Sequence, residues 1–224
     1  MNIILFEDAR VPDLYPITIG RPAMAMMCGG SRLIDQVTTL GYPVHVIVQS
    51  HLVELVQADF PDISVDQSIP DSFIEDRSKP QLFINARLVP GIHIRRQLAE
   101  IIEGTSPGIV QTGSSVAAVY LPGGFPGTGM PSRIVDWLAQ LIPTDKGNPE
   151  TLDLERFGPD SASGNEGPEP LGLPILHYDL PLFENPHDLL SYHLRILADN
   201  LLGRITDGYY QEIRDGLFVA DDAH

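Results

Sequence analysis

The sequence predicts an α/β fold with a mixed, mostly parallel sheet flanked by helices. Apolar runs of strand length alternate with segments whose apolar residues recur at helical spacing, an order typical of parallel βαβ units. Two later β-rich runs meet at Thr112-Gly113, which favours a hairpin and therefore one antiparallel pairing. The hydrophobic content of 43% is ordinary for a globular domain.

The first part of the chain supplies two strand-helix units. Residues 2–6 and 44–48 are short β-rich runs, which predict two buried strands. Apolar residues recur at helical spacing over 31–40, where Ser31 is a suitable N-cap, and a second helix is predicted over 51–58. The order of strand, helix, strand and helix predicts parallel pairing.

Further elements follow in the next part of the chain. Strands are predicted at 63–65 and 81–85, then a helix over 93–103 and a hairpin over 108–121. The strand over 81–85 is the stronger of the two, and its end lies at the carboxyl edge of the sheet. Ligands of open α/β sheets bind at that edge, so polar residues that follow 81–85 are candidates for a site.

The last hundred residues change in character. A helix is predicted over 132–142, and the segment 143–173, rich in Gly, Pro, Ser and acids, is predicted to be a flexible insertion. Residues 173–178 predict a strand. Asn185 is a suitable N-cap for a long helix with Pro186 at its first position.

Charge and cysteine content exclude several function classes. The 30 acidic and 14 basic residues give a net charge of −16, which repels nucleic-acid phosphates and anionic membrane surfaces. The single cysteine, Cys28, cannot form an internal disulfide, and no Cys or His spacing fits a zinc site. Acids near the amino terminus and the lack of a long apolar run predict a cytoplasmic protein.

One ungapped segment carries a resemblance. It keeps eight positions of a loop-to-helix pattern, namely Leu14, Pro16, Thr18, Arg21, Pro22, Gly30, Leu33 and Ile34. This pattern resembles the start of sugar nucleotidyltransferases. The resemblance implies a Rossmann-like sheet of the GT-A type, binding of a nucleoside triphosphate and a sugar-1-phosphate, and formation of a nucleotide sugar and pyrophosphate with Mg²⁺.

A narrower resemblance covers most of the chain. Leu5-Phe6-Glu7, the strand end Asn85-Ala-Arg-Leu-Val-Pro, the hairpin over 108–119 and the helix start Asn185-Pro-x-Asp-Leu are similar to a divergent group of proteins. That group is itself similar to N-acetylglucosamine-1-phosphate uridyltransferase. Because its members continue into a left-handed β-helix, residues 206–224 are interpreted as the possible start of one, which would mediate homo-oligomerisation. Residues 1–205 are predicted to form the nucleotidyltransferase-like α/β domain.

The chain departs from the family at residues that carry charge. Ala23 and Ser31 stand at the positions of family lysines, and Glu7-Asp-Ala-Arg replaces the glycine-rich loop that holds the triphosphate. The basic residues left in this region are Arg10, Arg21 and Arg32. The departures favour a rival interpretation, a binding or assembly domain of the same fold without turnover.

The resemblance assigns candidate roles at the carboxyl edge. Arg21 and Asn85 are the candidate catalytic residues. The candidates for nucleotide binding are Phe6, Glu7, Asp8, Arg10 and Gly30, those for the sugar phosphate are Arg87 and Asn185, and those for Mg²⁺ are Asn85 and Asp179. An amide oxygen can ligate Mg²⁺ but brings no charge, whereas the family has an aspartate at the position of Asn85.

Each assignment has a structural alternative. Arg21 could pair with nearby acids, and Asn85 could bond a backbone turn at the strand end. Glu7 and Asp8 follow a strand, where acids often face water. Cys28 lies beside two glycines, and nothing in its surroundings indicates an activated thiolate.

Overall fold

The computed structural model of the chain describes residues 1–68, 79–123, 173–208 and 210–220. The predicted helix over 132–142 lies outside the described residues. So does the predicted insertion, apart from Leu173.

A six-stranded sheet forms the centre of the fold, in the order β3-β2-β1-β4-β6-β5. Its strands are β1 Asn2–Phe6, β2 Val44–Ile47, β3 Ser64–Asp66, β4 Gln81–Asn85, β5 Gly108–Thr112 and β6 Ser115–Leu121. The first four strands run parallel. Strand β6 is antiparallel to β4 and forms the predicted hairpin with β5. The predicted mixed, mostly parallel sheet is therefore confirmed.

Four α-helices accompany the sheet in the described part of the chain. They are α1 Leu33–Thr38, α2 Val53–Asp59, α3 Ile92–Glu103 and α4 Pro186–Asp207. Helix α4 begins as predicted, because the Asn185 side chain accepts from the His187 N–H while the Asp188 carboxylate accepts from the Asn185 N–H. Within the described ranges, no helix is both long and apolar enough to cross a membrane.

The central strand β1 is buried on both faces. Ile3 and Leu5 lie in the main core together with Leu82 and Ile84 of β4. Ile4 and Phe6 point to the opposite face, and neither is exposed to solvent. Burial on both faces explains why the strand is a continuous apolar run instead of an alternating one.

The predicted strand over 173–178 is wrong. Ile175 forms one isolated parallel bridge with Ile109, and no regular strand is present there. Pro174 lacks an N–H to donate, so it contributes only its carbonyl, which accepts from the Ile109 N–H at 3.0 Å. The backbone groups near Ile175 are therefore paired with Ile109 through a single bridge, and no longer run of strand pairing forms.

Residues at the end of the described chain form a separate two-stranded antiparallel ribbon. Its strands are β7 Tyr210–Arg214 and β8 Leu217–Ala220. They pair with each other and not with the six-stranded sheet. The division into 1–205 and a β-helix beginning within 206–224 stays a prediction.

Candidate functional site

Strands β1 and β4 end side by side, at what is here called the carboxyl edge. Phe6 pairs with Asn85 in parallel register, so the residues that follow both strands meet. The Asn85 Nδ2 donates to Asp8 Oδ2 at 2.7 Å and to the Val116 carbonyl at 3.0 Å. Asn85 Oδ1 accepts the backbone N–H of Arg87 at 3.0 Å, and Asn85 is fully buried. Asn85 thus makes the hydrogen bond to a backbone turn that was its structural alternative. Its catalytic role stays a prediction.

Arg87 is the largest polar side chain of this edge and is also fully buried. Its Nε and Nη2 donate to the two oxygens of Asp8 at 2.8 and 2.7 Å. Its Nη1 donates to the Phe183 carbonyl at 2.6 Å, and its Nη2 also donates to Ser115 Oγ at 3.0 Å. A bidentate guanidinium-carboxylate pair of this kind is among the stronger polar contacts in proteins.

The Asp8 carboxylate is saturated with hydrogen bonds. Oδ1 accepts from Arg87 Nε and from the Arg10 backbone N–H at 3.1 Å, and Oδ2 accepts from Arg87 Nη2 and Asn85 Nδ2. A carboxylate offers about four lone-pair positions, so none is left over. The expectation that Asp8 faces water is wrong, because the Arg87 guanidinium supplies a counter-charge inside the protein.

Glu7 occupies a different environment from its neighbour. It is 2% exposed, and its Oε1 accepts the Ala23 N–H at 2.8 Å, while Oε2 has no hydrogen-bond partner among the described residues. Burial raises the pKa of Glu7 to about 7, although bonds from the backbone at Ala23 and Gln49 oppose this rise. The expectation that Glu7 faces water is also wrong. Its carboxyl anchors the Pro22-Ala23 turn to the end of β1.

The segment 13–30, here called the signature loop, contains Arg21 and is flanked by Arg10 and Arg32, and these three arginines differ in their surroundings. Arg10 pairs with Asp13 at 3.2 Å and approaches Glu184 at 3.8 Å. Arg32 forms a two-point pair with Asp35. Arg21 is exposed, and within the described ranges its side chain has no hydrogen bond or ion pair. The alternative in which Arg21 pairs with nearby acids is not realised among these residues.

Helix α4 holds the end of the signature loop. His193 Nδ1 accepts the Gly29 N–H at 3.2 Å, and Asn200 Nδ2 donates to the Gly29 carbonyl at 3.0 Å. Asn200 also donates to the Pro90 carbonyl and accepts the Ile92 N–H at 2.8 Å. The helix therefore ties the loop to the segment that leaves β4.

Sequence reasoning missed His193 and Asn200 as contacts of the loop. A partial signal existed, because Asn200 lies among Leu189, Ile196 and Gly203 at a spacing that places them on one side of a helix. A polar residue on a buried side needs partners. Cys28 belongs to the same contact, with Sγ 3.6 Å from the Leu189 carbonyl. Burial raises the pKa of its thiol to about 11, so it is not an activated thiolate.

Comparison with known proteins assigns the family. The family described as sugar nucleotidyl transferase matches residues 3–124, more than half of the chain. The chain belongs to the sugar nucleotidyltransferases. Among proteins of curated function, none matches it in sequence.

Two solved structures are similar to this sugar nucleotidyltransferase at low identity. One, described as a glucose-1-phosphate thymidylyltransferase from Bacillus anthracis in complex with sucrose, is 12% identical with a TM-score of 0.36, over 63% of this chain and 75% of that one. The other, described as a mannose-1-phosphate geranyltransferase from Thermus thermophilus, is 10% identical with a TM-score of 0.38. That comparison covers 62% of this chain and 53% of the other, so the match spans about half of the second protein.

Backbone contacts occupy the positions where other sugar nucleotidyltransferases have lysines. The N–H of Ala23 is bonded to Glu7. The N–H and carbonyl of Ser31 both pair with Cys28, at 3.1 and 2.9 Å. These positions shape the loop and offer no cation. Gly30, a predicted nucleotide contact, lies in the same turn with φ of 73°, and Phe6 is buried in the sheet.

Asn85, the strand-end residue predicted to hold Mg²⁺, and its neighbour Asp8 do not fit that ion. Asn85 and Asp8 have their polar atoms engaged with Arg87 and with each other. Asp179, the other predicted ligand, is exposed. Asn185, which is predicted to contact the sugar phosphate, is the N-cap of α4. In the described ranges no group of three His, Cys, Asp or Glu side chains is arranged to hold a metal ion.

Proposed function

We propose that this domain binds a nucleoside triphosphate and a sugar-1-phosphate at the carboxyl edge and joins them into a nucleotide sugar, releasing pyrophosphate. Family membership supports the proposal, since the match over residues 3–124 includes the six-stranded sheet, except for the first residue of β1, and the signature loop. The chemistry of this class depends mostly on positioning and on stabilising the phosphate charge.

The exposed Arg21 is the observation that carries the proposal. Arg10, Arg32 and Arg87 have acidic partners inside the protein. Arg21 has none among the described residues, although a chain of net charge −16 offers many acids. Its base is fixed, because the next residue, Pro22, is buried and Glu7 holds the N–H of Ala23. A guanidinium that has no partner among the described residues, on a backbone tied to the end of β1 by Glu7, suits a phosphate.

In the proposed reaction an oxygen of the sugar phosphate attacks the α-phosphorus of the triphosphate. A new phosphorus-oxygen bond forms while the bond between the α-phosphorus and the bridging oxygen breaks. The bond electrons leave with pyrophosphate. Arg21 would neutralise charge on the phosphate oxygens as it develops, and the turn tied by Glu7 would keep that guanidinium in place.

A second candidate function is nucleotide or sugar binding without turnover. The closed network of Asp8, Asn85 and Arg87 favours it, because groups at the position of the family's metal-binding aspartate are bonded within the protein. The family fold would then present a pocket while lacking part of the machinery for phosphoryl chemistry.

Calorimetry and product release distinguish the two functions. UTP and UDP-N-acetylglucosamine are titrated with Mg²⁺ present, and pyrophosphate release is then measured with a panel of sugar-1-phosphates. Binding with release supports the enzyme, binding without release supports the rival, and binding of neither contradicts both.

A pair of variants tests the role of Arg21. Arg21→Gln is expected to weaken nucleotide binding at least about tenfold, since it removes a charged contact. Arg96→Gln, at an exposed position of α3, changes the net charge equally and should leave affinity within about twofold. Equal effects of both variants would show that only net charge matters and would contradict a direct contact.

A further inference from the structure

The Arg87 guanidinium connects four parts of the fold at the carboxyl edge. It starts just beyond β4, pairs with Asp8 after β1, and contacts Ser115 at the start of β6 and the Phe183 carbonyl. The Arg87 carbonyl in turn accepts the Phe183 N–H at 2.9 Å. A single cation thus gathers oxygens from several segments, as a bound metal ion would.

The Asp8 carboxylate beside this cation leaves no vacant ligand position. All four bonds that Asp8 accepts come from Arg87, Asn85 and the Arg10 backbone. Asn85 donates both amide protons, to Asp8 and to Val116. Mg²⁺ requires near-octahedral oxygen ligands, usually including carboxylates, and here the carboxylate is already saturated.

Charge balance points the same way. Asp8 and Arg87 form a neutral pair in a buried setting, so Asp8 itself presents no uncompensated negative charge to a second cation. Displacing the guanidinium would leave it buried without a partner, which is strongly unfavourable. A metal ion would therefore have to break the pair before it could use Asp8.

We propose that the Arg87 guanidinium is a built-in cation that replaces a divalent metal ion at the carboxyl edge. Ligand binding at this edge, a consequence that rests on the proposed function, then does not depend on a divalent cation. The replacement is fixed by the fold, so it is present whether or not metal is supplied.

Nuclear magnetic resonance with Mn²⁺ tests the replacement in the full chain without any nucleotide. Mn²⁺ broadens signals of nearby nuclei, so the Asn85 side-chain amide and the Val116 backbone amide report on this edge. During a titration up to one equivalent, these signals should broaden no more than those of residues near exposed acids such as Asp59. Selective early loss of the Asn85 and Val116 signals would place a metal at the edge and overturn the proposal.

Two variants identify Arg87 as the group that excludes the metal. Asn85→Asp with Arg87→Ala sets two carboxylates together without the guanidinium, and Mn²⁺ should then broaden the Val116 amide at least about tenfold more strongly, as expected of a carboxylate site. Asn85→Asp alone retains the Arg87 guanidinium, so its Val116 amide should broaden clearly less than in the double variant; equal broadening would contradict exclusion of the metal by Arg87. A folded double variant without selective broadening would overturn the role of Arg87, and if circular dichroism shows it unfolded, the wild-type titration decides.

A nucleotide-binding experiment distinguishes a failure of this inference from a failure of the proposed function. UDP-N-acetylglucosamine affinity is measured by calorimetry in Mg²⁺ and in EDTA, and the two values should agree within about threefold, a small free-energy difference. Binding in Mg²⁺ but not in EDTA contradicts metal independence. Binding in neither buffer contradicts the proposed function, and the Mn²⁺ spectra then decide the inference independently.

Discussion

Two adjacent acids at the end of β1 show how strongly surroundings decide the behaviour of a side chain. Asp8 meets a guanidinium and accepts hydrogen bonds on both oxygens. Glu7 accepts hydrogen bonds from backbone N–H groups and has no guanidinium partner, and one of its oxygens has no partner in the described part of the chain. Burial then dominates, and the Glu7 pKa rises to about 7.

Replacement of Glu7 by Gln should change how stability depends on pH. Because the folded pKa of about 7 exceeds the ordinary value of 4.5, Glu7 favours folding most below pH 4.5, and this advantage is lost as pH rises through 7. Gln keeps an oxygen for the Ala23 N–H and carries no charge. The unfolding free energy of Glu7→Gln, relative to wild type, should therefore increase by roughly 1–3 kcal/mol between pH 5 and pH 8.

Urea unfolding at both pH values measures this difference. Glu103→Gln is a matched control, because Glu103 is exposed at the end of α3. Its difference from wild type should stay nearly constant with pH. If Glu7→Gln also gives a constant difference, the carboxyl does not titrate near neutrality and the account of its burial is wrong.

The sequence located these acids but could not assign their partners. The position of Glu7 and Asp8 follows from the strand over 2–6, which periodicity detects. Asp8 pairs with a residue 79 positions away, and such a contact depends on the order of strands in the sheet. Local pattern carries no information on that order, so burial of both acids was not anticipated.

Helix α4 is the element that sets the geometry of the signature loop from outside the sheet. The Gly29-Gly30 turn has positive φ at both residues, 57° and 73°. Its first glycine is bonded on both sides, to His193 and to Asn200. A loop that carries Arg21 is thereby held by a helix more than 150 residues further along the chain.

Alanine at Gly29 tests this contact between loop and helix. A Cβ there would lie 2.4 Å from Ile196 Cγ1 and 2.8 Å from Asn200 Nδ2. Gly29→Ala should cost about 1 kcal/mol for the positive φ and at least about 2 kcal/mol more for the overlap. Gly41→Ala is the control, since φ is also positive at 78° and nothing lies within 4 Å.

The unfolding free energies of both variants, from urea titration, give the comparison. A loss at Gly29 that clearly exceeds the loss at Gly41 supports close packing of α4 on the turn. Equal losses of unfolding free energy would mean that both variants report only backbone strain and that α4 moves away from the added methyl group at little cost.

Elements with strong local signals were predicted well, and weak ones were not. The hairpin and the start of α4 are marked by Gly113 and by Asn185-Pro186, whose roles are local. The run over 173–178 has strand composition but includes Pro174, and it depends on one distant bridge to Ile109. Composition alone cannot distinguish such a bridge from a strand.

On the scale of the whole molecule, the order of the strands explains where the site lies. Strand β1 is central, between β2 and β4, and both of its faces are buried. The chain leaves β1 and β4 at the same edge because they are parallel. The signature loop, Asp8 and Arg87 therefore converge there, which is the usual ligand position in open α/β sheets.

Stability should be distributed unevenly between the six-stranded sheet and the β7-β8 ribbon. The ribbon pairs only with itself, and residues 210–217 are exposed, including Ile213 at 56% and Leu217 at 49%. An isolated two-stranded ribbon is marginally stable in water. Its amide hydrogens should exchange at least about a thousandfold faster than those of β1, whose opening requires much larger unfolding.

Hydrogen exchange followed by mass spectrometry at neutral pH measures both regions in one sample. The β5-β6 hairpin is the control, because it is also antiparallel but its strand β6 is buried, so it should exchange slowly. Fast exchange confined to the ribbon would show that its exposed apolar residues remain in water. Ribbon exchange as slow as that of β1 would mean that another surface covers Ile213 and Leu217 in solution. Dilution would then distinguish the two possible sources of that surface. Protection by a second copy of the chain falls as the protein is diluted, whereas protection by a contact within one molecule does not.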